Sequence, residues 1–299
     1  MENTSENGFQ PYRFTPEDFG VISDIVYREA GICLSDVKSA LVYSRLVKRV
    51  RSLGLPSFRD YCAVVRRPES DAERQKMISA LTTNVTRFHR EEHHYRHFGE
   101  QVLPALLKRA ASGGRIRLWS AACATGEEAY GLAFRILEKA PNAPDMDIRI
   151  LATDIDPPAL AIAEAGKYSV EALAPLGKEM IQSFFDPVDD AASQMKVGAS
   201  PRRLITFRRL NLIRAWPVRG PFDVVFCRNV AIYFDSDTQA GLWQGFADVM
   251  APNGALYIGH SERITGPAAA CFRLEGTTTY RMRGENTGND HATKEIGKE

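Results

Sequence analysis

From residue 115 to residue 262 the chain alternates short apolar runs with amphipathic stretches, and this alternation constrains the fold more than any other feature. The runs 116–119, 148–152, 222–227 and 255–259 are short, apolar and bounded by turn residues, as buried strands are. Between them, 127–137 places Tyr130, Ala133, Phe134 and Leu137 on one helical face. Stretches 157–165 and 237–250 also read as helices, the second ended by Pro252-Asn253-Gly254. Segment 272–282 alternates and closes the pattern. Such alternation predicts an α/β fold with a parallel sheet and crossover helices. Residues 166–211 break the rhythm and are too long for a simple connection. They hold a helical piece near 177–185, a polar stretch and a strand-like run at 203–208. We read about 166–210 as a small subdomain inserted into the sheet fold.

Before the sheet, the pattern is helical. Thr15-Pro16-Glu17-Asp18 is a helix start: a capping hydroxyl, proline at the first turn, then acids. Gly31 is a usual stop. A second helix is expected from Ser35 to about Leu53 and a third from Ser57. These predict a helical domain over 10–85, followed by the α/β domain over 86–283. Residues 1–8 and the tail 284–299 are polar enough to be disordered. The net charge of +1 disfavours a globally basic nucleic-acid binder. No apolar run reaches the roughly 18 residues of a membrane span, and the first ten residues are too polar for a signal peptide. The five cysteines form no CxxC pair, which suits reduced thiols in a cytoplasmic chain.

Four segments could carry chemistry. The turn Ser120-Ala-Ala-Cys-Ala-Thr-Gly-Glu-Glu128 follows a strand and opens a helix. Its small residues let backbone N–H groups approach a ligand. With one glycine it is a poor pyrophosphate fingerprint, and Glu127 and Glu128 would repel phosphate but attract an ammonium. The same acids could merely complement the helix dipole. Asp154, just past the second strand, stands where a Rossmann-like fold binds ribose hydroxyls. A helix cap is the alternative there, and Asp156 is better placed for it. Arg228, Asn229 and Tyr233 follow a buried strand at the end where open sheets bind ligands. They are costly polar groups to leave there without partners. Residues 81–91 join the two domains and carry further polar side chains.

Two features have plainer readings. His89-Arg-Glu-Glu92-His93 matches an inverted zinc-protease signature, with His97 one turn on. The surrounding α/β pattern does not suit a protease, so no metal is expected. The stretch 38–59 contains six basic residues and no acid. Helical geometry puts Lys38, Arg45 and Arg49 on one face with Lys48 beside them, opposite Val42, Leu46, Val50 and Leu53. That face is either solvated or docks an acidic partner.

Taken in order, LTTNVTRFHRE, RLWSAACATGEEAY, ATDID, FDVVFCRNVAIYFD and GHSE resemble the CheR-type chemotaxis receptor methyltransferases. GICLSDVKSALVYSRLVKRVRSLGL is similar to that family's helical domain. The resemblance runs from about residue 15 to residue 283. It implies a Rossmann-like class I methyltransferase sheet with an N-terminal helical domain and a small inserted β-subdomain. It further implies S-adenosyl-L-methionine as methyl donor and receptor glutamates as acceptors, giving glutamate methyl esters in chemotaxis adaptation. By motif, the cofactor contacts would be Asn84, Thr86, Arg90, Glu128, Asp154, Asn211, Leu212, Arg228 and Asn229. Glu128 would hold the amino group and Asp154 the ribose, while Arg90 and Tyr233 would lie at the transfer site. The partners would be cytoplasmic domains of methyl-accepting chemotaxis receptors, met by Lys38, Arg45, Lys48 and Arg49 without nucleic acid or membrane insertion. In some members the inserted subdomain grips a peptide on the receptor tail. The chain departs from the family at Arg87 and His89, where small or aromatic residues are usual, and at Ala129, where proline is common.

Overall fold

The computed structural model describes residues 12–188 and 193–284. The disorder expected at 1–8 lies outside them, as does the expected tail beyond Gly284.

Four helices form the first domain: α1 (Pro16–Ala30), α2 (Ser39–Ser52), α3 (Phe58–Val65) and α4 (Asp71–Leu81). The expected cap at Thr15 is a reciprocal one. Asp18 N donates to Thr15 Oγ1 at 3.2 Å, and Thr15 N donates to Asp18 Oδ2 at 2.9 Å. A 3₁₀ turn at Asp36–Lys38 precedes α2, so the helix expected from Ser35 begins later. Ile22, Val26, Val42, Leu46, Val50, Phe58, Tyr61 and Met77 close a core of their own. Gly31 ends α1 at φ +71°, a left-handed conformation. A Cβ there would also stand 2.7 Å from Ile213 Cγ2 in the second domain.

The second domain opens with α5 (Glu92–His97), which runs through a π-helical turn at Phe98–Val102 into α6 (Leu103–Ala111). Pro104 lacks an N–H, so the regular ladder cannot run unbroken across this junction. The sheet then unfolds in alternation: β1 (Ile116–Ala121), α7 (Glu127–Lys139), β2 (Ile148–Asp154) and α8 (Pro157–Ala165). After them come β3 (Lys167–Ser169), α9 (Lys178–Phe184), β4 (Phe185–Pro187), β5 (Gln194–Val197), α10 (Ala199–Leu204) and β6 (Ile205–Arg209). The chain ends with β7 (Phe222–Cys227), α11 (Ser236–Val249), β8 (Met250–Ile258), β9 (Phe272–Gly276) and β10 (Thr279–Met282). The main sheet has the order β6-β2-β1-β7-β8-β10-β9. Its first five strands are parallel, and β10 runs antiparallel to both β8 and β9. This is the expected Rossmann-like class I methyltransferase sheet with its helical domain in front.

Three boundaries differ from the sequence reading. The strand expected inside the insertion is β6, which pairs with β2 from Ile150↔Ile205 to Asp154↔Arg209 and so belongs to the main sheet. The small antiparallel sheet β3-β5-β4 is the inserted part, and it ends before α10. Alternation at 205–209 marks a strand with one buried face but does not say which sheet it joins. Segment 272–282, read from sequence only as an alternating stretch, is two strands forming a hairpin. Finally, α11 stops at Val249, and Pro252-Asn253-Gly254 lie within β8, where the pairing with β7 shifts register.

Candidate active site between the two domains

Strand order reverses at β1, whose neighbours are β2 and β7. In open α/β sheets a crevice forms at such a point, outside the C-terminal strand ends. Here the turn after β1, the end of β2 and the loop after β7 meet there, and the helical domain covers them. Tyr27 OH donates to Asp235 Oδ2 at 2.5 Å, Cys33 N to Tyr233 O at 2.8 Å and Asn211 Nδ2 to Glu29 O at 2.7 Å. The resulting cleft has an empty volume of ≈ 1000 Å³, part of it open to solvent.

Asn84, Thr86, Arg90, Glu128, Asp154, Asn211, Leu212, Arg228, Asn229 and Tyr233 all line this cleft. Residues spread over 150 positions of sequence are thus gathered into one space. Glu127, adjacent to Glu128, turns aside and accepts from Thr125 Oγ1 at 2.7 Å.

Glu128 sits in the first turn of α7. Ser120 Oγ donates to its Oε1 at 2.7 Å, and Arg228 Nε to its Oε2 at 2.6 Å. Arg228 is buried among Tyr95, whose hydroxyl is 3.3 Å away, the Arg90 carbonyl and Glu91 at 3.5 Å. Burial works against its charge, but Glu128, Tyr95 and Glu91 outweigh it and raise the guanidinium pKa further. Glu91 feels the same opposition: burial resists its charge, while Arg228 and His260 hold its pKa below the usual value.

Asp154 closes β2. Ala124 N donates to its Oδ2 at 2.8 Å and Asp156 N to its Oδ1 at 2.9 Å. Each oxygen keeps a lone pair for a ligand hydroxyl. Burial raises the Asp154 pKa, and the two amides oppose that rise. The turn that supplies Ala124 is strained, with Ala122 at φ +63° and Ala124 at φ +48°. Left-handed non-glycine residues persist where the surroundings hold them, and they gather at ligand sites. Asp156 occupies the cap position of α8, whose first two residues are prolines, and makes no side-chain capping bond. Its Oδ2 accepts from Asn84 Nδ2 at 2.5 Å instead, tying the interdomain segment to β2.

The loop after β7 rests on a residue to which the sequence reading assigned no role. Glu262 accepts from the N–H groups of Asn229, Val230 and Ala231 at 3.1, 2.9 and 2.8 Å, and from Gly259 at 2.5 Å. The motif Gly259-His260-Ser261-Glu262 held this residue, but nothing in the sequence named its partners. Glu91 was missed in the same way. It accepts from His260 N at 3.2 Å and from Asn229 Nδ2 at 3.4 Å, joining the interdomain segment to two loops.

Two surface readings change. Arg49 is not a free docking group: it makes a two-pronged contact with Glu73 of α4 at 3.0 and 2.6 Å, and Tyr61 OH donates to the same carboxylate at 3.1 Å. Arg45 Nη1 donates to the carbonyls of Leu81 and Thr82 at 2.8 and 2.9 Å, which fixes the start of the interdomain segment. The acid absent from 38–59 comes from the next helix but one. Lys48 remains exposed, and Lys38 Nζ lies 5.8 Å from the Tyr233 ring centre at the cleft. The histidines do not share a helix face. His89 and Glu91 have φ of +54° and +57°, so α5 starts only at Glu92. Among the described residues no cluster of three His, Cys, Asp or Glu is placed to hold a metal.

The cleft suits a zwitterionic amino acid joined to a nucleoside. Acids and arginines stand together at one part, Asp154 offers paired acceptors, and Val85, Leu210, Leu212 and Phe234 are apolar. Comparison with known proteins agrees. Residues 84–281 match the CheR methyltransferase S-adenosylmethionine-binding domain, and residues 17–82 match the CheR all-alpha domain. A Rhizobium etli protein named "Probable chemotaxis protein methyltransferase" is 49% identical over 88% of this chain and 99% of its own. Chemotaxis protein methyltransferase 2 of Pseudomonas aeruginosa is 38% identical over 91% of this chain and 95% of its own. The chemotaxis protein methyltransferase of Escherichia coli is 38% identical over 88% of this chain and 90% of its own. With both domains matched in order and the motif residues gathered into one cleft, the chain belongs to the CheR methyltransferase family.

Proposed function

We propose that the chain methylates glutamate side chains of chemoreceptors, using S-adenosylmethionine and forming glutamate methyl esters. The observation that carries this is the convergence of Glu128, Asp154, Arg90 and Tyr233 on one interdomain cleft. When bound, the cofactor supplies an electrophilic sulfonium methyl. Glu128 would hold its ammonium group, and Asp154 would accept from its ribose hydroxyls. A glutamate acceptor, with pKa near 4.3, is already ionised at neutral pH and needs no general base. It needs a fixed approach and the loss of its water. Arg90 can orient the carboxylate without taking its proton. Its Nη1 donates to Val85 O at 3.1 Å, which anchors the side chain and leaves other N–H groups free. Tyr233 adds a hydroxyl on the opposite loop.

Receptor cytoplasmic domains are the partners in this reading, met at the exposed mouth of the cleft near Lys38. A cytoplasmic location follows from the same reading. No helix among the described residues is long and apolar enough to cross a membrane. The test is transfer of labelled methyl from the cofactor to a receptor cytoplasmic fragment. A base-labile product on glutamate is expected. Transfer only to RNA or a small molecule, or a base-stable product, overturns the reading.

A further inference from the structure

Parallel sheets normally carry helices on both faces, because each crossover lays one there. The crossover from β6 to β7, residues 210–221, contains no helix. Its Trp216 packs on Trp119 and Phe246, with ring centres 4.9 and 5.1 Å away, and covers part of the face. Toward the N-terminal ends of β1, β2 and β7 the face opens into a hollow with an empty volume of ≈ 1250 Å³, continuous with solvent. This is the opposite end of the strands from the methyl-transfer cleft.

Leu151, Val218 and Phe222 give the hollow an apolar floor. Arg109, Arg115, Arg117, Arg149 and Arg219 line it, against Asp223 alone among acids. Arg117 and Arg149 are register partners on β1 and β2, so both leave the same face side by side. Like charges placed opposite each other destabilise a sheet unless something compensates them. Asp147 takes up Arg117 at 2.7 Å and Arg115 at 3.4 Å, and Asp223 takes up Arg109. Arg149 has only the carbonyls of Met146 and Ile148. Arg219 is exposed and has no hydrogen-bond or ion-pair partner among the described residues. Five guanidiniums therefore meet two carboxylates.

We propose that this hollow is a second binding site, remote from the cleft, for a small phosphate-bearing anion of nucleotide size. Guanidinium forks match phosphate oxygens in pairs, and they stack on flat rings. The surplus positive charge suits a ligand with two or more phosphate charges. The apolar floor suits a ring, and a concave face suits a small molecule better than a flat protein partner.

The test uses the full chain saturated with S-adenosylhomocysteine, so that the cleft is blocked. Inorganic tripolyphosphate, ADP and ATP are titrated by calorimetry at low salt. At least one should bind, more weakly as salt rises. Arg149→Glu with Arg219→Glu should weaken that binding about tenfold or more. S-adenosylhomocysteine affinity should not change, which also shows that the variant is folded. A preference for the nucleotides places a ring on the floor, and equal binding of tripolyphosphate makes phosphate alone the ligand; both support the site. No binding at millimolar concentration overturns it, and so does unchanged affinity in the variant. Binding of a polyglutamate peptide without any phosphate compound would make the hollow a protein-docking face and likewise overturn the proposal.

Discussion

Arg228 Nε lies 2.6 Å from Glu128 Oε2, joining the end of β7 to the first turn of α7 across the mouth of β1. The pair is buried, and each partner has a second task. Arg228 holds the interdomain segment through the Arg90 carbonyl and Glu91, and Glu128 faces the cleft. Glu128→Gln keeps the shape but leaves Arg228 less compensated. Breaking a buried pair in this way costs about 3 kcal/mol. The variant should show a lower urea midpoint and at least tenfold weaker S-adenosylhomocysteine binding. Normal affinity with a lowered midpoint would make Glu128 a structural partner only.

Asp154→Ala removes the acceptor proposed for the ribose hydroxyls and two bonds to backbone amides. Hydrogen bonds to a charged group are worth about 1.5 to 3 kcal/mol, so affinity should fall roughly tenfold or more. The strained Ala122–Ala124 turn also loses its anchor. Calorimetry giving wild-type affinity would remove Asp154 from the site.

Arg90→Ala and Tyr233→Phe should fail differently. Arg90 lines the cleft and is proposed to touch both cofactor and acceptor, so its loss should weaken binding and slow transfer. Tyr233→Phe keeps the ring beneath Lys38 and removes only the hydroxyl, so kcat should fall with little change in KM. Normal turnover of Tyr233→Phe at saturating receptor would strip that hydroxyl of its role.

His94 makes stability fall in mild acid. Burial, helped by neighbouring Arg228, lowers its pKa to about 3 from the usual 6.5. Between those values the unfolded chain takes a proton that the folded chain refuses, so folding weakens as pH drops below about 6.5. One such group costs at most about 1.4 kcal/mol per pH unit, or about 2 kcal/mol at pH 5. His89 and His97 are also lowered, chiefly by burial, and act in the same direction. His94→Gln should be less stable at pH 7 but lose less between pH 7 and pH 5. An unchanged difference in urea unfolding free energy between those pH values would clear His94 of this effect.

The main sheet was legible because its strands and helices carry different periods, and the cleft because its residues follow strand ends in fixed order. What escaped the sequence depended on long-range pairing. Whether 205–209 joins the main sheet or the insertion is decided by β2, more than fifty positions away. Glu262 gains its meaning only when β8 brings it under the loop at 229–231. The acid-free stretch 38–59 suggested a free basic face because Glu73 cannot be seen as its partner until α4 folds back onto α2.

That correction narrows the surface that can recognise a receptor. Arg49 is spent on Glu73, and Arg45 holds the carbonyls of Leu81 and Thr82, so reversing either would damage the helical domain itself. Lys48 is exposed, and Lys38 stands beside Tyr233 at the cleft. A glutamate-rich receptor helix reaching the cleft in the proposed way would meet Lys38, and Lys48 is the exposed lysine of α2 that could extend the contact. Lys38→Glu with Lys48→Glu should therefore raise the KM for receptor several-fold while S-adenosylhomocysteine affinity and thermal stability stay unchanged. The wild-type rate at subsaturating receptor should fall with added salt, since exposed charges are screened over about 8 Å at physiological ionic strength. The variant should respond less steeply. Arg45→Glu with Arg49→Glu should instead lower the melting temperature, and any effect on KM would then be indirect. If the lysine variant keeps both the receptor KM and the salt slope, Lys38 and Lys48 are solvated side chains with no part in receptor recognition.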